Sequence, residues 1–256
     1  MARKGLLLAA VIAMPFVLAI GMSAQGRGGA AAPAATPRAA APLDLTGYWV
    51  AIISEDWRWR MITPARGDFP SIPMTLEAEK LAEAWDPARD EAAGEACRAY
   101  GAPGLMRGPT RLHITWQDDT TLKLESDYGM QTRLFKFGTA APAGSTARTW
   151  QGLSTAQWII SGGGRGRGAQ RSGSLKTVTS NLRPGYLRKN GVPYSANTVY
   201  TEYWDLNSED NGDKYLVITN VVTDPTYLQA PWMTAIHFKK EPDGSKFDPT
   251  PCDAKF

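Results

Sequence analysis

Two charged residues lie among aromatic residues in strand-like segments of the sequence. In MQTRLFKF, the alternation of a β-strand puts Arg133 on the same face as Phe135. In NTVYTEYWD, it puts Glu202 on the face of Tyr200 and Trp204. An apolar interior tolerates neither charge without a partner. The pattern therefore predicts either a structural ion pair or the few polar groups that orient a ligand in a mostly apolar pocket.

A carboxylate buried in such a pocket also suits proton transfer. Burial raises the pKa of a carboxyl group, so Glu202 or Asp224 is a candidate general base. His113 or Arg133 is the candidate for stabilising the charge that develops. This alternative predicts a lyase, an isomerase or a hydrolase. The sequence contains no HExxH, no CxxC, no G-x-S-x-G and no glycine-rich phosphate loop followed by lysine.

The two histidines of the chain, His113 and His237, both fall on polar strand faces. Two histidines exclude a histidine-rich metal site, and we predict neither a metal nor a cofactor. The segment NLRPGYLRKNGVPYS, residues 181–195, adds Tyr186 and Tyr194 to the candidate ligand-binding residues and also carries Arg188. It predicts either a lid over the mouth of a barrel or a solvated connection.

The first 42 residues are predicted to lie outside the folded domain. Residues 1–24 combine two basic residues, an apolar run and small residues, which is typical of a secretory signal peptide. An uncleaved anchor is the alternative, although the run is short for the roughly 20 apolar residues of a membrane span. Residues 25–42 predict a disordered linker of alanine and proline. The expected product is a periplasmic or secreted domain, residues 43–256, with no stable membrane insertion after cleavage.

The apparent basicity of the chain belongs to this leader. Residues 1–42 carry Arg3, Lys4, Arg27 and Arg38 and no acidic residue, so the 28 basic and 25 acidic residues of the chain become 24 and 25 in the predicted domain, a net charge of −1. A nucleic-acid partner thereby loses its electrostatic support. The arginine- and glycine-rich segment 161–173 is accordingly predicted to be a mobile hairpin tip.

Cys97 and Cys252 are the only cysteines of the chain. In an exported protein, such a pair predicts a disulfide. The alternative, a reactive thiol, needs a neighbouring base, and neither cysteine has a histidine beside it in the sequence.

The pattern of apolar residues predicts an all-β fold with minor helical content. Residues 74–101 predict two short helices, with Thr75 and Asp86 as caps. A first strand begins at Gly47, and eight further strand-like runs bounded by turn residues occupy 111–117, 121–127, 131–137, 152–160, 174–180, 197–205, 214–223 and 232–240. The prediction is a closed antiparallel β-barrel of about nine strands with two short peripheral helices.

Several motifs resemble those of known barrels. The residues GYW at 47–49 resemble the Gly-x-Trp of lipocalin-like proteins, in which the tryptophan closes one end of the barrel. The ordered set GYW, WQGLSTAQW, NGVPYS, TEYW, TDP and a cysteine near the C-terminus resembles a family of exported bacterial proteins from acidobacteria and proteobacteria. The resemblance covers nearly the whole predicted domain and implies export and a lipocalin-like, or calycin-like, barrel. It assigns no catalytic residue, and the segment 161–173 departs from the family pattern.

The function expected from these observations is binding of a small apolar or aromatic ligand inside the barrel. The candidate ligand-binding residues are Arg133, Glu202, Tyr200, Trp204, His113, Asp224, Tyr186 and Tyr194. The enzyme described above is the second hypothesis, and a structural or interaction protein with a filled core is the third. The packing of the barrel interior discriminates among the three.

Overall fold

The protein folds around one closed β-barrel. The computed structural model describes residues 35–138, 147–161 and 172–255. The strands are β1 (Gly47–Ile52), β2 (Arg111–Trp116), β3 (Thr121–Ser126), β4 (Gln131–Phe137), β5 (Leu153–Ser161), β6 (Ser172–Ser180), β7 (Gly185–Tyr186), β8 (Pro193–Tyr194), β9 (Val199–Ser208), β10 (Lys214–Thr223) and β11 (Trp232–Glu241). Nine of them close in the order β1-β11-β10-β9-β6-β5-β4-β3-β2, while β7 pairs with β8 outside the barrel. The predicted barrel is confirmed, and each predicted strand overlaps one of the nine.

One strand pair departs from the predicted antiparallel pattern. β4 and β5 run parallel over three residue pairs, Phe135 to Phe137 against Ser154 to Ala156. Parallel neighbours need a long connection, because the chain must return to the end at which it started. Here the connection runs from 138 to 152. The barrel is therefore mixed, although its other strand pairs are antiparallel.

Alternate side chains of the barrel strands fill its interior. Trp49 is fully buried, and its Nε1 donates a hydrogen bond to the carbonyl of Leu45 at 2.9 Å. The side chains that pack around it form one buried cluster, which includes Leu112, Ile114, Leu122, Leu124, Phe135, Leu175, Trp204, Leu216, Ile218, Ile236 and Phe238. This packing favours the filled-core hypothesis over a ligand-filled barrel interior.

Short helices lie between β1 and β2. They are α1 (Trp57–Arg60), α2 (Leu76–Glu83), α3 (Pro87–Ala92), a 3₁₀ helix (Ala96–Tyr100) and α4 (Ala102–Leu105). The two predicted caps are confirmed, since Thr75 accepts a hydrogen bond from the N–H of Ala78 and Asp86 accepts one from that of Ala88. The sequence analysis predicted only α2 and α3, because α1, α4 and the 3₁₀ helix are too short to show helical periodicity.

The predicted disulfide between Cys97 and Cys252 is present. It joins the 3₁₀ helix to the C-terminal tail, so the tail is fixed beside the helical segment. Nearby, Tyr100 accepts a hydrogen bond from the N–H of Asp253 at 3.1 Å. No described helix has the length and the apolar character that a membrane span needs.

Three predictions concern segments at the edge of the described structure. The predicted signal peptide lies outside the described residues, as do residues 162–171 of the arginine- and glycine-rich segment. The predicted linker ended at Pro42, but part of it contacts the barrel. Trp158 Nε1 donates to the carbonyl of Pro37 at 2.8 Å, and the N–H of Arg38 donates to the carbonyl of Asp119 at 3.1 Å.

Candidate functional site

Arg133 and Glu202 form an ion pair inside the barrel, as the strand alternation predicts. The guanidinium donates from Nη1 to Oε1 at 2.9 Å and from Nη2 to Oε2 at 2.5 Å. Both side chains are fully buried. Burial lowers the pKa of the Arg133 guanidinium, but the charge and the hydrogen bonds of Glu202 outweigh this effect and raise it. The arginine therefore stays charged.

Hydroxyl groups use most of the remaining hydrogen-bonding capacity of this pair. Thr177 donates to Glu202 Oε2 at 2.8 Å, and Arg133 Nη2 also donates to Thr179 at 3.3 Å. Thr179 in turn shares a hydrogen bond with Ser154 at 2.7 Å. Within the described residues, Nε is the one nitrogen of the Arg133 guanidinium without a partner. The pair satisfies itself and its neighbours, which is the structural alternative.

Tyr200 and Trp204 belong to the same network. The hydroxyl of Tyr200 donates to Asn220 Oδ1 at 2.6 Å, and Trp204 Nε1 donates to Thr177 at 3.4 Å. Both are buried. Four of the eight predicted residues thus come together, and their polar atoms bond to other interior side chains.

The other predicted residues lie elsewhere. The ring of His113 stacks on Tyr48 with centroids 4.2 Å apart, and its Nδ1 lies 3.3 Å from Glu125. Tyr186 and Tyr194 belong to the β7–β8 hairpin, which packs against the helices. The eight residues therefore do not form one site.

Asp224 follows β10 and has a structural role. Its carboxylate accepts hydrogen bonds from the N–H of Ser195 at 2.5 Å, from the Ser195 hydroxyl at 2.8 Å and from Thr198 at 2.7 Å. Burial raises the pKa of Asp224, but these hydrogen bonds outweigh it and lower the pKa. A general base at neutral pH needs the opposite shift, so the general-base hypothesis is wrong for Asp224.

A different cluster of charged residues lies outside the barrel interior. Arg60 ends α1, Arg107 follows α4, and Arg188 lies in the loop between β7 and β8. Each of the three is 4–6 % exposed. They line one small cavity together with Lys189 and Trp59, and we call this cavity the arginine pocket. The segment 181–195 is therefore neither a lid nor a solvated connection, because its hairpin packs into the protein and supplies one wall of the pocket.

Hydrogen bonds tie the segments around the arginine pocket together. Asp56 precedes α1 with a φ of 51°, in the left-handed region that a non-glycine residue adopts at an energetic cost. Its carboxylate accepts a hydrogen bond from Arg107 Nη2 at 2.6 Å. Arg60 Nε donates to the carbonyl of Arg107 at 2.9 Å, and Arg188 Nη2 donates to Ser71 at 3.3 Å. The strained residue thus holds a carboxylate beside the arginines.

Positive charge is in excess in the arginine pocket. Asp56 is the carboxylate that hydrogen bonds to these arginines within the described residues. In that same part of the chain, the buried side-chain nitrogens without a hydrogen-bond partner include Trp59 Nε1, Arg60 Nη2, Arg107 Nη1, and Nε and Nη1 of Arg188. A buried donor without an acceptor is costly, and a buried charge without a counter-charge costs more. An anion in the cavity supplies both.

The pKa values of the basic residues reflect this excess. Burial, reinforced by the charge of Arg107, lowers the pKa of Arg60 to about 10 and that of Arg188 to about 10. Burial also lowers the pKa of Lys189 to about 7, against the opposing charge of Asp253. Arg133, by contrast, has a raised pKa because it has a full counter-charge. The direction of the shift separates the two arginine environments.

Aromatic rings form part of the walls of the arginine pocket. The guanidinium carbons of Arg107 and Arg188 lie 4.8 and 5.8 Å from the ring centroid of Trp232, and that of Arg188 lies 5.1 Å from Trp59. Such contacts offset part of the cost of burying a cation. The cavity volume is about 30 Å³. This is room for roughly two water molecules, so the cavity accepts a headgroup of a few atoms, not a whole ligand.

Sequence reasoning missed most of this pocket. Arg188 was noted only as part of a long loop, and Arg60 and Arg107 were not singled out. The signal lies in Trp57-Arg58-Trp59-Arg60, where arginines alternate with tryptophans. In a helical turn these residues point in different directions, so one arginine must lie against an apolar neighbour.

The comparisons leave the assignment of function to the geometry. Within the described residues, no group of three or more histidine, cysteine, aspartate or glutamate side chains is placed to hold a metal ion. Comparison of the chain with protein families, curated proteins and solved structures finds no match.

Proposed function

We propose that this is an exported envelope protein that binds a phosphate-type anion in the arginine pocket. The observation that carries the proposal is the charge balance: Arg60, Arg107 and Arg188 are buried around one cavity and hydrogen bond to one carboxylate, that of Asp56. An isolated excess of buried positive charge is unfavourable unless an anion joins it.

The donors favour phosphate over carboxylate. Four side chains of the pocket contribute five nitrogens that lack partners within the described residues. Phosphate offers several oxygens in a tetrahedral arrangement, which suits donors from different directions, and arginine is the side chain best matched to it. A carboxylate offers two oxygens in one plane. The small cavity volume also favours a compact headgroup.

Export is supported by the leader pattern and by the disulfide. Disulfides persist in oxidising compartments such as the periplasm. The apolar ligand expected inside the barrel has less support, because the interior side chains pack against one another there. An enzymatic role has less support as well, because Asp224 lacks the raised pKa of a general base.

Calorimetric titration of the protein with inorganic phosphate, sulfate and acetate tests the proposal. Arg188→Met is the informative variant, because the hydrogen bond from Arg188 to Ser71 is long and its loss leaves the Arg107–Asp56 contact in place. We expect phosphate to bind and the variant to lose roughly tenfold or more in affinity, the range for one charged hydrogen bond. Arg66→Gln, which removes an exposed charge, is the control and should retain the affinity.

The outcomes separate the alternatives. Equal binding of acetate and phosphate identifies a carboxylate ligand and replaces the phosphate assignment. Absence of phosphate binding at millimolar concentration, or an equal loss in Arg188→Met and Arg66→Gln, refutes the pocket as an anion site.

A further inference from the structure

Helix α1 presents three exposed apolar side chains beside the arginine pocket. Trp57 is 65 % exposed, Met61 49 % and Ile62 65 %. Trp57 and Met61 lie one helical turn apart, with the N–H of Met61 bonded to the carbonyl of Trp57, so they share a face. We call these three residues the apolar tip. Adjacent exposed apolar residues of this size mark an interaction surface.

The apolar tip is continuous with the pocket. Ile62 belongs to the tip and also lines the arginine pocket. Trp59 and Arg60, which lie between Trp57 and Met61 in the sequence, line the pocket too. Whatever covers the tip therefore also covers the entrance to a cationic cavity.

Charge complementarity selects an anionic partner. The basic side chains at the tip and the pocket are Arg58, Arg60, Arg107, Arg188 and Lys189, and the acidic ones are Glu55, Asp56 and Asp68. Arg58 pairs with Asp68 at 3.3 Å, but its side chain is 65 % exposed, so the pair is weak and the arginine remains available. The surface combines a net positive charge with tryptophan, methionine and isoleucine.

From this juxtaposition we infer that the protein docks on an anionic phospholipid membrane, with a lipid phosphate in the arginine pocket and the apolar tip in the bilayer interface. The inference rests on the proposed function and names the source of its phosphate. Tryptophan favours the membrane interface, and arginine favours anionic headgroups. The cavity has room for a headgroup phosphate, so the acyl chains remain in the bilayer. A four-residue helix is a weak anchor, and a second signal, here the headgroup, is what makes such binding stable.

Vesicle flotation tests the inference, with phosphatidylglycerol mixed into phosphatidylcholine and with phosphatidylcholine alone. The protein is the processed form recovered from the periplasm of the expressing cell, so all variants carry the same N-terminus. Trp57→Ser combined with Ile62→Ser removes two exposed side chains of the tip. Leu76→Ser combined with Leu81→Ser removes two exposed leucines of α2 and is the matched control.

We expect the wild-type protein and the α2 control to float with phosphatidylglycerol vesicles and not with phosphatidylcholine vesicles. The tip variant should lose roughly tenfold or more in vesicle affinity, as expected for apolar surface withdrawn from the interface. Its affinity for inorganic phosphate in solution should stay within about twofold, because neither substituted side chain carries a donor that faces the anion.

The two proposals fail in different ways. Phosphate binding without flotation on phosphatidylglycerol, or equal flotation of the tip variant and the control, refutes the membrane surface and leaves the anion pocket standing. Absence of both phosphate binding and flotation refutes the anion pocket and the docking that rests on it.

Discussion

The protein buries arginines in two regions and treats them differently. Inside the barrel, Arg133 meets Glu202 through two short hydrogen bonds. In the arginine pocket, Arg60, Arg107 and Arg188 have Asp56 as their hydrogen-bonded carboxylate. The first region is balanced in charge, whereas the second carries an excess of positive charge beside a cavity.

This difference separates structural from functional burial of charge. A buried pair that satisfies itself needs no ligand and contributes to the fold, although apolar side chains of the same volume often serve as well. A buried cluster that is not satisfied lowers stability, and its retention is explained when a ligand completes it. The signs of the pKa shifts agree: burial lowers the pKa of Arg60 and Arg188 to about 10, whereas Glu202 raises that of Arg133.

Removing the counter-charge in the barrel should have the largest effect. Glu202→Gln keeps the size of the side chain but leaves Arg133 buried with its charge uncompensated. We expect a loss of about 3–5 kcal/mol in the free energy of unfolding. Urea unfolding monitored by tryptophan fluorescence measures it.

Two variants serve as controls for this loss. Glu125→Gln removes a carboxylate that is 34 % exposed from the neighbouring barrel surface, and it should change stability by less than about 0.5 kcal/mol. Arg133→Met combined with Glu202→Met should recover most of the loss, because no unpaired charge remains. A loss below about 1 kcal/mol for Glu202→Gln would contradict a balanced structural pair.

Removing an arginine from the pocket should have the opposite sign. Methionine at position 188 retains the aliphatic packing against Trp59 and Trp232 but lacks the buried charge that burial and Arg107 disfavour. Without an anion, we expect Arg188→Met to be more stable than the wild type by about 1–2 kcal/mol, a value reduced for partial solvent screening. Saturating phosphate should reverse the order, because it stabilises only a protein that binds it.

Unfolding curves of both proteins with and without phosphate check this reversal. A variant that is less stable than the wild type under both conditions contradicts the excess of charge in the pocket.

The barrel was predictable because its strands have a regular period. Alternation in 131–137 and 197–205 placed Arg133 and Glu202 on buried faces, and the structure pairs them. The parallel contact of β4 with β5 was not predictable in the same way, since alternation determines which face a residue occupies and not which strands are neighbours. The disulfide followed from the count of two cysteines.

The arginine pocket was not predictable because it has no period. Its arginines come from three segments, around positions 60, 107 and 188, that meet only after the barrel and the β7–β8 hairpin have formed. Two of these segments are short helices of four residues, and the strained Asp56 that faces Arg107 has no sequence signature. Only the alternation of tryptophan and arginine at 57–60 hinted at a special surface.

The smallest expected effect is a pH dependence that belongs to the pocket and not to the barrel. Lys189 lies between the rings of Tyr100 and Tyr128, at 4.8 and 4.5 Å, and donates to the Tyr100 hydroxyl at 3.2 Å. Burial lowers its pKa to about 7. In the unfolded chain the pKa of lysine is about 10.4. Between these values the unfolded chain binds more protons than the folded protein, so stability increases as the pH rises.

We expect this lysine to make the wild type about 1 kcal/mol more stable at pH 9 than at pH 7, less than the full shift implies because the side chain is partly solvated. The change should be absent from Lys189→Met and present in Lys246→Met, which removes an exposed ammonium. Urea unfolding of the three proteins at both pH values gives the comparison. If Lys189→Met keeps the wild-type slope, the lysine is charged in the folded protein at pH 9. The arginine pocket then tolerates positive charge on that side as readily as the barrel tolerates Arg133.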